Sequence, residues 1–87
     1  MSLELDLSLS RQEIINDIDA LGEHLKNLRM RLDTVEETLA EMVENEYSDY
    51  PPRLIEAYRI EEAYLQQEID RDTEALEVYN RLLMKYQ

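Results

Sequence analysis

The chain has no cysteine, phenylalanine or tryptophan, a single glycine (Gly22) and two prolines (Pro51 and Pro52). The absence of cysteine excludes a disulfide framework, a thiolate metal site and a cysteine nucleophile together. With six tyrosines as the only aromatic residues, a thick globular core is not expected, and packing falls to Leu, Ile and Ala. So few helix breakers leave room for very long helices. Basic residues are scarce as well: nine Lys and Arg stand against 21 Asp and Glu, for a formal net charge of −12. Affinity for nucleic acid comes from Lys and Arg displacing phosphate counterions. The one local basic run is Lys26, Arg29 and Arg31, so direct nucleic-acid binding is not expected. No apolar run approaches the roughly 20 residues that span a bilayer, so no membrane partner is expected. Met1-Ser2-Leu3 lacks the basic and continuous apolar regions of a secretory signal, and it also fits residues left by a vector. Together these absences lead to the expectation of a small, one-domain cytoplasmic protein.

What is present is a heptad stripe. Ile14, Ile18, Leu21, Leu25, Leu28, Leu32, Val35, Leu39 and Met42 follow one another at spacings of four and three. The mean spacing of about 3.5 residues is the repeat of a left-handed coiled-coil seam. Ser10-Arg11-Gln12-Glu13 has the form of a capping box at the start of that stripe. The next strong punctuation is Tyr47-Ser48-Asp49-Tyr50-Pro51-Pro52, because a proline is tolerated in the first turn of a helix and not further in. The expectation is therefore a helix over about 10–46, a loop over about 47–51 and a second helix over about 52–85. Two long helices joined by a short loop make an antiparallel hairpin. The fold class expected is all-α: a coiled-coil-like hairpin domain over 10–87 that dimerises into a four-helix bundle. Residues 1–9 stand apart. Leu3, Leu5, Leu7 and Leu9 alternate with polar residues, the period of an extended strand, so an extended N-terminal arm is expected there.

The second helix is apolar over a wider arc than the first. Its own seam runs Ile55, Tyr58, Glu62, Leu65, Ile69, Asp72, Leu76, Tyr79, Leu83 and Tyr86, and beside it lies a second stripe that includes Ile60, Tyr64, Ala75, Val78 and Leu82. A hairpin buries one seam and leaves the second stripe wet. A wide apolar arc implies a further neighbour, and the economical one is a second copy of the chain.

Folding the hairpin about residues 48 and 49 sets Leu32 opposite Leu65, Leu28 opposite Ile69, Glu62 opposite Val35 and Asp72 opposite Leu25. Two carboxylates thus fall on the seam, where an unpaired charge is costly. Glu62, Asp72 and the lone histidine, His24, are expected to form buried polar layers. The partners in reach are His24, Lys26 and Arg29 for Asp72, and Arg31, Arg59 and groups of a symmetry-related copy for Glu62. A di-iron site needs Glu-x-x-His pairs, and residue 21 is Leu. Asp70-Arg71-Asp72-Thr73-Glu74 resembles the opening of a calcium loop without its glycine and closing glutamate, and reads as surface charge. No metal, cofactor or catalytic residue is expected. Arg11, Ile14, Asp17 and Ile18 resemble the N-terminal helix signature of the all-α, dimeric chorismate mutases. Ile15 stands where that signature has an acid, and Leu39-Ala40-Glu41 replaces its mid-chain lysine, so no site residue is carried over.

Residues 36–62 concentrate the charge, with nine acids against two arginines. Glu37, Glu41, Glu44, Tyr47, Asp49 and Tyr50 mark an acidic, tyrosine-bearing tip suited to a basic partner. The functional expectation is a protein–protein interaction module (adaptor, scaffold or small chaperone) without catalysis, acting as a homodimer and through a basic or helical partner. An acidic inhibitor or nucleic-acid mimic and a small all-α enzyme of the chorismate-mutase type are the alternatives.

Overall fold

The computed structural model describes residues 10–44 and 50–86. It contains two helices, α1 (Arg11–Glu44) and α2 (Pro52–Met84), packed against each other. The expected bounds of about 10–46 and 52–85 differ from these by one residue at the start of α1 and one at the end of α2, and 45 and 46 lie outside the described residues. The extended arm expected over 1–9, and Tyr47, Ser48 and Asp49 of the loop, lie outside the described residues.

The start of α1 follows the capping logic. Glu13 N–H donates to Ser10 Oγ at 3.1 Å, which occupies one of the orphan donors of the first turn, and Ile14 N–H donates to Ser10 O at 3.1 Å as the first intrahelical bond. The start of α2 works differently. Pro51, at φ −62° and ψ 141°, holds the extended conformation of a cap without a side-chain hydrogen bond, and Pro52 opens the helix. Proline has no N–H to leave unsatisfied, so it suits that position. Thr34, Thr38 and Thr73 return their hydroxyls to the carbonyls of Met30, Thr34 and Ile69 at 3.1, 2.9 and 2.7 Å, so none of the three leaves a polar group wanting.

The antiparallel direction shows in the pairs that cross the seam. His24 bonds Asp72, and seven residues further along α1 Arg31 bonds Glu61, eleven residues back along α2. Between them sits the core: Leu25, Leu32, Val35 and Leu39 from α1 with Leu65 and Ile69 from α2, flanked by Leu28, Ile55, Tyr58 and Leu76. Ile14 and Met42 are buried towards the two ends of α1. The buried apolar residues of α1 all belong to the heptad stripe, and those of α2 to its expected seam. Gly22 lies at the surface of α1, and a Cβ built there would meet nothing within 4 Å.

The hairpin measures 64 × 21 × 14 Å, with a radius of gyration of 19.1 Å. A compact chain of this length would have a radius near 12 Å. One layer of helices has an outside on both faces, and only the line of contact between α1 and α2 is dry.

Candidate functional site

The seam carboxylates behave differently from each other. Asp72 is buried at 9% exposure, and His24 Nδ1 sits against its Oδ2. With Asp72 as a carboxylate, which only accepts, the imidazole is the donor through Nδ1. This pairing falls one residue from the expected Leu25–Asp72 alignment. His24 itself is not buried: its side chain is 53% exposed. It covers Asp72 from the rim of the seam rather than from inside. Glu62 is only half-buried and forms an ion pair with neither Arg31 nor Arg59 within the chain. Arg31 pairs instead with the neighbouring Glu61 at 3.0 Å, because Glu61 lies on the flank that Arg31 reaches. Glu62 turns to the opposite flank, where it lines an open groove with Glu36, Val43 and Arg59. Of the three expected buried polar residues, therefore, one is buried, one caps it and one is wetted.

The remaining charges are arranged locally. Arg71 lies 3.7 Å from Glu68 and Arg81 3.9 Å from Glu77, both within α2. Gln66 Nε2 donates to Asp70 Oδ1 at 3.1 Å. The band Lys26, Arg29 and Arg31 contributes one cross-helix ion pair among the described residues, that of Arg31. Exposed pairs of this kind contribute little to stability. Glu37, Glu41, Glu44 and Tyr50 of the expected acidic tip are all exposed, while Tyr47 and Asp49 lie outside the described residues. No three His, Asp or Glu side chains among the described residues are placed to share a metal ion.

The second stripe of α2 is uncovered. Ile60, Tyr64 and Val78 are 64%, 60% and 51% exposed, and Ala75 and Leu82 are half-buried. At 3.6 residues per turn these five residues share one side of α2 with Glu68 and Arg71. That side adjoins the flank on which His24 and Arg31 cross the seam. On the same face, α1 and α2 part to leave an open groove of about 410 Å³ lined by Asp17, Ala20, Leu21, Ala75 and Tyr79. Small side chains at 20 and 75 make the groove, and Asp17 places one carboxylate in an otherwise apolar lining. Sequence reasoning had no hold on this feature, because it depends on which alanine of α1 meets which alanine of α2.

No protein-family model matches the chain, and neither does any curated protein or solved structure. The fold and the uncovered face define the class, an all-α helical hairpin with one apolar outer face. No helix among the described residues is long and apolar enough to cross a membrane.

Proposed function

We propose that the chain is a protein–protein interaction module, an adaptor, scaffold or small chaperone of the cytoplasm, whose working form is a homodimeric four-helix bundle. The observation that carries this reading is the stripe of Ile60, Tyr64 and Val78, each more than half exposed on one face of a hairpin only 14 Å thick. Apolar side chains left exposed along one side of a helix mark an interface. A chain with so small a core gains stability by burying that surface against another helical layer. No catalysis and no cofactor are part of the proposal. A further partner would dock at the acidic end. Exposed Glu37, Glu41 and Glu44 take part in none of the described ion pairs, so they stay available to a basic protein.

The test is sedimentation equilibrium of the wild type beside Tyr64→Glu/Val78→Glu. Two charges per protomer placed in a dry seam should convert the dimer to monomer or unfolded chain. A dimer of unchanged affinity would remove this face from the interface. Affinity capture with Glu37, Glu41 and Glu44 changed to Gln tests the docking end: bound basic proteins should be lost.

A further inference from the structure

The stripe on α2 is self-complementary in reverse. We infer that two copies pair through α2 in antiparallel fashion, about a two-fold axis passing between Ile69 and Asp70, with each Tyr64 seated in the groove of the other copy. This inference rests on the self-association proposed above and specifies its register.

Reading outwards from that axis, four layers form on the exposed side of α2. Glu68 meets the partner's Arg71, Tyr64 meets the partner's Ala75, Ile60 comes within one residue of level with the partner's Val78, and Ala57 meets the partner's Leu82. These residues lie within an arc of about 80° on the helix, narrow enough to face a single neighbour. The pairing matches charge with opposite charge, and in two of the layers a large side chain with alanine. Glu68 and Arg71 already approach each other within one helix. Around the axis the two pairs make a neutral cluster of four, in which each carboxylate lies beside its own arginine and the partner's. That arrangement matters in a chain of net charge −12, because it lets the two protomers touch where neither carries surplus charge.

The groove supplies the second argument. Helical side chains lean towards the N-terminus of their own helix. In an antiparallel pair, the partner's Tyr64 stands over Ala75 and leans towards Tyr79, along the groove that Asp17, Ala20 and Leu21 line. The ring meets apolar side chains, and its hydroxyl points to the end where the Asp17 carboxylate can accept a hydrogen bond. Other registers fail on the same residues. A parallel pair would set Glu68 against Glu68 and Arg71 against Arg71. A slide that brings Tyr64 over Leu82 would set Arg71 on Ala75 and Glu68 on Val78, leaving charges facing apolar groups.

The absence of cysteine makes the register directly readable. Arg71→Cys places two thiols about 4.5 Å apart along the axis, whereas Leu82→Cys places them about 37 Å apart. On mild oxidation, Arg71→Cys should form a covalent dimer and Leu82→Cys alone should not. A mixture of Ala57→Cys and Leu82→Cys chains should yield the mixed dimer. Separately, Arg71→Glu should weaken association about tenfold at low salt, and Glu68→Arg in the same chain should restore it. Circular dichroism of each variant checks that the helices persist. Equal cross-linking at positions 71 and 82 would mean parallel helices, overturning the register while leaving self-association intact. Wild-type chain that stays monomeric up to millimolar concentration would overturn both.

Discussion

Of the described ion pairs, the one between His24 and Asp72 reaches a buried carboxylate of the seam. Its character can be separated by substitution. His24→Ala leaves a buried carboxylate without its donor, and the cost should be about 1 kcal/mol, at the low end of the range because Asp72 lies close enough to the rim for water to enter. Asp72→Leu removes the need for the donor and adds apolar area beside Leu65 and Ile69, so it should be neutral or stabilising by about 1 kcal/mol. In the Asp72→Leu background, His24→Ala should then cost almost nothing. Urea midpoints measured at one chain concentration check all three, since self-association makes stability concentration-dependent. If Asp72→Leu instead destabilises strongly, the polar layer is setting helix alignment rather than merely being tolerated.

Each helix carries small costs that point to specific changes. Gly22 sits in α1 with open space for 4 Å around the place a Cβ would take, and its φ is not positive. Gly22→Ala should therefore stabilise by about 1 kcal/mol, through the lost backbone freedom of the unfolded chain. The close backbone approach that an interior glycine can permit is not used within the hairpin. Ser10→Ala should cost about 1 kcal/mol by orphaning the Glu13 N–H. The other end of α1 is electrostatically adverse: its last turn has no basic residue and contains Glu41 and Glu44. Carboxylates there oppose the helix dipole, so Glu44→Lys should raise stability by about 0.5 kcal/mol at low salt and less at high salt. Thermal melts at two ionic strengths separate this from a packing effect. If the acidic end docks a basic protein, the same change should weaken capture of that protein.

At the scale of the molecule, shape and charge decide. A hairpin 64 Å long and 14 Å thick that doubles face to face gains thickness rather than length. Small-angle scattering should show doubled mass with a radius of gyration still near 19 Å, while end-to-end association would raise the radius sharply. Each protomer carries −12, so repulsion opposes pairing. Raising ionic strength from about 0.01 M to 0.15 M shortens the screening length from about 30 Å to 8 Å and should tighten the dimer. Weaker association in salt would mean that charge pairs, rather than the apolar layers, dominate the contact.

Much of the hairpin was legible before any coordinates. A stripe at spacings of four and three commits a segment to one buried side, Ser10 and the paired prolines mark where helices begin, and the scarcity of glycine and proline forbids other breaks. These are local properties, readable because helix geometry repeats along the chain. The placement of Asp72 on the seam followed from the same periodicity. Its pairing with His24 rather than Lys26 or Arg29, the exposure of His24, and the turn of Glu62 to the opposite flank did not. They depend on a shift of about one residue between helices and on which flank each side chain occupies. The groove beside Ala20 and Ala75 has the same origin. Periodicity along one chain settles which residues face inwards, whereas the alignment of two surfaces in space settles which of them meet.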